Sequence, residues 1–128
     1  MMQKIKKTIY FAGGMQNGWQ EYFAQLQQKY ECLDPRSWSS PDPAIYTAKD
    51  IDGVTKSDLV LVYMDSKNPS GYGLSVELGL AYGLNKIIVF VDQIKNDWRS
   101  KYYGMHREMA TVVVNSVKEA IDFIETNL

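Results

Sequence analysis

One cysteine and one histidine in 128 residues leave little room for several kinds of chemistry. Cys32 has no partner for an internal disulfide, sits in no metal-ligand spacing, and reads as a buried hydrophobe in a short strand-like stretch. His106 has no Cys or His near it in sequence, so a zinc site or a catalytic triad is not expected, and it reads as a surface or packing residue. An excess of one charge is also missing. Fourteen Lys and Arg against fifteen Asp and Glu give a net charge of −1, which supplies no long-range attraction to nucleic acid or to an anionic membrane. No apolar run approaches the roughly 20 residues of a membrane span. The N-terminal MMQKIKK is basic, but only Thr8 to Ala12 follows before glycines begin, too short for the apolar part of a signal peptide. With 45% apolar and 23% charged residues, the expectation is a cytoplasmic protein folded as one domain over residues 1–128.

What is present is an alternation of strand and helix signals. Leu59 to Met64 and Ile87 to Val91 are near-continuous apolar runs, as strands covered on both faces require. Between them Asn68-Pro69-Ser70-Gly71 cannot continue a strand and reads as a tight loop, after which Leu74, Leu78 and Ala81 fall on one helical face. Thr8 to Ala12 reads as a first strand ending at Gly13 and Gly14. From Gly18 the pattern turns helical, with Trp19, Phe23 and Leu26 in step and Tyr22 beside them. Tyr30 to Leu33 is a short second strand. Asp34 to Pro43 holds three of the four prolines and reads as loop, in which Trp38 serves either as a lid over a substrate or as a packing anchor.

Ile45, Ala48, Ile51 and Val54 set the next helix, which begins near Pro43 or, if shorter, at a cap on Asp50, and Gly53 weakens its middle. Asp92 to His106 is long for a connection in such a fold, the kind of segment that covers a site or contacts a neighbouring subunit. Ala110 to Val114 closes the set of strands. Ser116 and Glu119 form a capping box for a terminal helix with Val117, Ile121 and Ile124 inside. The predicted architecture is α/β: a doubly wound, five-stranded parallel sheet in the flavodoxin-like order 2-1-3-4-5.

In such a sheet ligands lie beyond the carboxyl ends of the strands. Glu77 falls near the start of the helix that leaves the Asn68–Gly71 loop, where the positive end of the helix dipole favours an ionised carboxylate. Taken alone, an acidic residue there reads first as a plain helix-stabilising one. The stretch Ser70-Gly71-Tyr72-Gly73-Leu74-Ser75-Val76-Glu77-Leu78-Gly79-Leu80-Ala81 resembles the active-site signature of the nucleoside 2-deoxyribosyltransferase family and its nucleotide N-hydrolase relatives, a Ser/Gly turn, a glycine, three residues, and Glu-Leu/Ile-Gly. Ile9 to Gly14 resembles that family's first strand and loop, and Lys49 to Asp58 its Asp-Leu…Ile…Ala/Ser-Asp pattern.

The resemblance covers about residues 8 to 91 and implies an enzyme that cleaves or transfers the N-glycosidic bond of a nucleoside or nucleotide. Glu77 would be the nucleophile at the anomeric carbon and Asp50 the acid or base-contacting group, with Asp58 structural. The implied substrate contacts are Tyr10, Phe11, Gly13, Gly14 and Trp19 from the first strand and loop, and Ser70, Gly71 and Gly73 from the turn. No metal or organic cofactor is implied, nor any nucleic-acid or membrane partner, and family members are homo-oligomers whose sites a neighbouring chain completes. Gly79 and Gly83, four apart, permit close approach of another element, which helix–sheet packing would equally explain.

Two departures bear on substrate. The aspartate that holds sugar hydroxyls in the transferases has no counterpart before Gly71, leaving Asp65 or Ser70 as candidates. The arginines that hold a 5′-phosphate in the hydrolases are replaced by Gln16, Trp19 and Gln20, which favours a nucleoside unless Gly13 and Gly14 form an anion nest or Arg99, Lys101 or Arg107 swings in. An NAD-type glycohydrolase and a non-catalytic nucleotide-sensing module are the other readings.

Overall fold

The computed structural model describes residues 6–128, so the first part of the basic N-terminal stretch, residues 1–5, lies outside the described residues. Five parallel strands form one sheet in the order β2-β1-β3-β4-β5. They are β1 (Thr8–Gly13), β2 (Glu31–Leu33), β3 (Leu59–Asp65), β4 (Ile87–Gln93) and β5 (Val112–Val114). The helices are α1 (Pro43–Lys56), α2 (Tyr72–Gly83), α3 (Gly104–Met109) and α4 (Val117–Asn127), with 3-10 helices over Trp19–Gln28, Pro35–Trp38 and Trp98–Tyr103. This is the doubly wound, flavodoxin-like arrangement expected from the alternation of signals.

Apolar side chains leave both faces of the sheet, so it carries two cores. One contains Ile9, Phe11, Leu59, Leu61, Val89 and Val91, closed by Trp19, Phe23 and Leu26 and by Ala120, Ile121 and Ile124 of α4. The other contains Tyr10, Ala12, Val60, Val62, Met64 and Phe90, closed by Val54 of α1 and by Leu74, Leu78 and Ala81 of α2. β1 and β3 are hydrogen-bonded neighbours whose chains leave the sheet toward opposite faces, the switch point at which such folds open a crevice. The backbone amide of Thr8 donates to Asp58 Oδ2 at 2.8 Å and the Asp58 amide to the Thr8 carbonyl at 2.8 Å, so Asp58 ties the start of β3 to β1.

Several boundaries differ from those read off the sequence. The Trp19–Gln28 segment is 3-10 with a kink at Phe23, and Trp19, Phe23 and Leu26 enter the same core from it. α1 is the longer of the two alternatives. The Asp42 side chain accepts from the Ala44 amide at 2.9 Å and Pro43 occupies the first turn, so Asp42 is the cap and Asp50 lies mid-helix. Of the four apolar residues that set its period, Val54 is buried, but Ile45 and Ile51 are 46% and 48% exposed. The Asp92–His106 connection is not structureless: β4 runs on to Gln93, and a 3-10 helix and α3 fill most of the rest. β5 is confined to Val112–Val114, and the Ser116 side chain caps α4 by accepting from the Glu119 amide at 3.1 Å.

Candidate active site

A cleft of about 470 Å³ opens at the carboxyl ends of β1 and β3. Its walls are the loop after β1 (Gly13 to Asn17), the Pro35–Ser40 stretch, one face of α1 (Tyr46 and Asp50), and the turn after β3 leading into α2 (Lys67 to Leu74, with Glu77). The two carboxylates singled out in the sequence, 27 positions apart, therefore share one cleft. The glycines Gly13, Gly14, Gly71 and Gly73 and the serine Ser70 line it as well.

Glu77 is held from below. The Tyr10 side chain is fully buried in the core beneath α2, and its hydroxyl donates to Glu77 Oε2. Burial pushes the Glu77 carboxyl up from its ordinary 4.5 to about 8. The Tyr10 hydrogen bond pulls it back down, and the negative charge of Asp50 adds to the rise. The dipole of α2 was expected to favour ionisation, but Glu77 is the sixth residue of the helix, past the turn where that field is felt, and desolvation dominates. Burial, then the charge and hydrogen bond of Glu77, raise Tyr10 far above the usual tyrosine range, so Tyr10 is a donor throughout the accessible pH range. On the opposite wall the Trp38 indole donates to Asp50 Oδ1 at 2.7 Å, so Trp38 anchors a carboxylate at the edge of the cleft.

Three sequence expectations are corrected here. Tyr10 does not line the cleft and instead acts through Glu77. Phe11 alternates to the far face of β1 and is buried in the other core. Trp19 is also fully buried there, stacked on Tyr63 with ring centroids 5.0 Å apart. Its indole donates to the Gly14 carbonyl at 2.8 Å, and the Gln20 amide donates to the same oxygen at 3.0 Å. A Cβ at Gly13 would stand 2.8 Å from the Trp19 ring, so glycine there lets the loop lie directly on the indole. Trp19 thus supports the loop from behind.

Asp65, a candidate for the sugar hydroxyls, is consumed within the fold. It accepts from the Asn17 side chain at 3.0 Å and from the Lys67 and Asn68 amides at 3.1 and 3.2 Å. Arg99 and Arg107 are also occupied, Arg99 by Asp97 and the carbonyls of the turn, Arg107 by Asp92 at 2.8 Å and by Ser100. Sequence reasoning missed Lys67, which lines the cleft and forms no ion pair among the described residues. It also missed Asn68, buried at 8% exposure, whose Oδ1 accepts from the Ser70 and Gly71 amides at 3.3 and 3.1 Å and so shapes the turn. Asn-Pro-Ser-Gly signalled a turn, but not which side chain would organise it.

α2 is apolar nearly all round. While Leu74, Leu78 and Ala81 are buried, Tyr72, Val76 and Tyr82 are 79%, 73% and 55% exposed. A Cβ built at Gly79 or Gly83 meets nothing within 4 Å, so these two glycines do not serve packing against the chain's own sheet. No helix among the described residues is long and apolar enough to cross a membrane.

No protein-family model matches the chain. No curated protein matches it either. Solved structures do. A 2-desoxiribosyltransferase from Leishmania mexicana is similar with a TM-score of 0.69 and 21% identity, over 95% of this chain and 99% of that one. A CMP N-glycosidase from Clostridium botulinum is similar with a TM-score of 0.59 and 19% identity, over 95% of this chain and 100% of that one. The strand order, the crevice at the β1/β3 switch point and these similarities agree, and the chain has the nucleoside 2-deoxyribosyltransferase-like fold.

Proposed function

We propose that the protein cleaves or transfers the N-glycosidic bond of a (2′-deoxy)nucleoside through a covalent glycosyl-enzyme intermediate. The observation that carries this reading is a carboxylate, Glu77, fixed by a buried tyrosine and facing a cleft that a second carboxylate, Asp50, also lines. Tyr10 occupies Oε2 of Glu77, which leaves Oε1 free to attack the anomeric carbon. As the bond to the base breaks, positive charge grows on the sugar, and an ionised Glu77 in a desolvated site stabilises it strongly. Asp50 protonates or contacts the departing base, and the same group then activates the acceptor, water or a second base, so configuration is retained. Neither step needs a cofactor. The names of the two structural neighbours, a desoxiribosyltransferase and a CMP N-glycosidase, support the same class of bond.

The test is incubation with deoxynucleosides, deoxynucleotides and NAD, with and without an acceptor base, followed by chromatography of released base. A slow 2-fluoro-sugar substrate should leave its glycosyl group on Glu77, located by peptide mapping. A label on Asp50 would exchange the two roles, and no base release from any substrate would sink the reading.

A nucleoside is favoured over a nucleotide because the cleft holds no arginine and both nearby arginines are bound to protein groups. The second reading, a 2′-deoxynucleoside 5′-monophosphate N-hydrolase, rests on Lys67, a cation at the cleft without an acidic partner among the described residues. The exposed apolar face of α2, joined by Ile45 and Ile51 of the neighbouring α1, supports a homo-oligomer, because an all-round apolar helix ordinarily has both sides covered.

A further inference from the structure

The segment from Asp97 to His106 supplies no wall of the cleft, yet its polar side chains converge on the back of the turn that does. Arg99, whose side chain is 12% exposed, is aimed by a pair of hydrogen bonds to Asp97. Its guanidinium donates to the carbonyls of Ser66 and Pro69, both at 3.0 Å, and to that of Asn68. Tyr103, 4% exposed, donates its hydroxyl to the Ser70 carbonyl at 2.9 Å. A Cβ at Gly71 would collide with that hydroxyl, and Gly71 has φ +75°, so the turn and the tyrosine fit only with glycine there. The Ser75 hydroxyl donates to the Gly71 carbonyl at 2.7 Å and, having one hydrogen, must accept from His106 Nε2–H at 2.7 Å. The His106 ring lies against Tyr103 with centroids 4.3 Å apart. The carbonyls of residues 66, 68, 69, 70 and 71 are thus all engaged away from the cleft, four of them directly from this one segment.

We infer that Asp97–His106 is a brace that sets the Ser66–Gly71 turn, and that Arg99 and Tyr103 are positioning residues for substrate binding. The inference rests on the proposed function for its kinetic consequence, though not for its structural one. A planar guanidinium presents five donors in a fixed fork and can serve three carbonyls at once, which a lysine ammonium on a flexible stem cannot do in the same geometry. The turn supplies Asn68, Ser70 and Gly71 to the cleft, whereas Glu77 is anchored independently by Tyr10 on β1. Loosening the brace should therefore harm binding before chemistry.

The experiment compares Arg99→Ala, Arg99→Lys and Tyr103→Phe with the wild-type chain. Arg99→Ala should raise KM by roughly ten- to a hundredfold, the size expected for a lost charge-assisted hydrogen bond, with kcat nearly unchanged. Added guanidinium ion, but not sodium chloride at the same concentration, should recover part of the loss. Arg99→Lys should stay impaired. Tyr103→Phe, which keeps the ring and is the variant safest for folding, should raise KM less. Amide hydrogen exchange at Ser70 and Gly71, which needs no substrate, should quicken in Arg99→Ala and Tyr103→Phe while exchange in β3 does not. Unchanged exchange at the turn in both variants overturns the brace, as does a fall in kcat with KM untouched. A wild-type chain that releases no base from any substrate would count against the proposed function alone, and the exchange result would still decide the brace.

Discussion

The Tyr10 hydroxyl donates to Glu77 from a ring with no solvent exposure, so one strand residue opposes the rise in proton affinity that burial gives the carboxylate at the cleft. With that hydrogen bond in place the Glu77 carboxyl lies at about 8, and under the proposed function the attacking form is the ionised one. In the free enzyme kcat/KM should therefore rise with pH and reach half its plateau near 8. Tyr10→Phe removes the one contact that lowers this value, and should move the rising limb to higher pH by about one unit, the worth of a single hydrogen bond. A profile unmoved by Tyr10→Phe would show that the hydroxyl does not tune Glu77.

The same carboxyl leaves a mark on stability. Between pH 4.5 and about 8 the folded chain keeps a proton that the unfolded chain has released. The contribution of Glu77 is thus complete below 4.5, declines as pH rises through this window, and is gone above about 8. Glu77→Gln does not titrate. Its melting temperature relative to wild type should climb from pH 5 to pH 8 and level off beyond, while base release is abolished at every pH. A difference constant over that range would mean that Glu77 titrates normally.

Gly53 tests the packing behind Tyr10. In a helix interior Gly→Ala ordinarily gains about 1 kcal/mol. Here the new Cβ would stand 2.7 Å from the Tyr10 ring, which is fully buried. Overpacking of this kind costs about 1–3 kcal/mol, so Gly53→Ala should lower stability in urea titration despite its better propensity. A stabilised Gly53→Ala would mean that the ring moves freely.

Substrate size is decided by measuring deoxynucleosides beside their 5′-monophosphates. With no arginine in the cleft, nucleosides should show the higher kcat/KM and inorganic phosphate should inhibit weakly. If a monophosphate is preferred by about tenfold, the scale of one charge-assisted contact, and Lys67→Ala removes the preference, the nucleotide reading replaces it.

Light scattering tests the outer face of α2. The wild-type chain should be a dimer or larger, and Val76→Arg, at a site 73% exposed, should dissociate it. A monomeric wild type with full activity would rule out a shared site.

How much of this was legible in the sequence follows from what periodicity can carry. The β3 and β4 runs, the Asn-Pro-Ser-Gly turn and the Leu74–Leu78–Ala81 stripe are strong local signals; the alternation of strands and helices along the chain led to the sheet order, and the family resemblance singled out Glu77 and Asp50. The partners of those groups were harder. β1 is apolar at every position from Ile9 to Ala12 because both faces are covered, and such a run has no polar residue to reveal its phase. Tyr10 and Phe11 therefore looked equivalent, although only Tyr10 faces α2. Arg99 was equally opaque: its acceptors are backbone carbonyls some thirty residues earlier, and a carbonyl leaves no signature in residue type.

One strand of six residues serves two rooms, with Ile9 and Phe11 furnishing one and Tyr10 and Ala12 the other. The two sets are locked in antiphase, so Glu77 inherits its partner from the parity of a count along β1. A single residue inserted or deleted between Thr8 and Tyr10 would exchange the sets, turning the phenol toward Trp19 and leaving Glu77 facing a hydrocarbon. Substitution can adjust this strand, whereas a change of length rewires it.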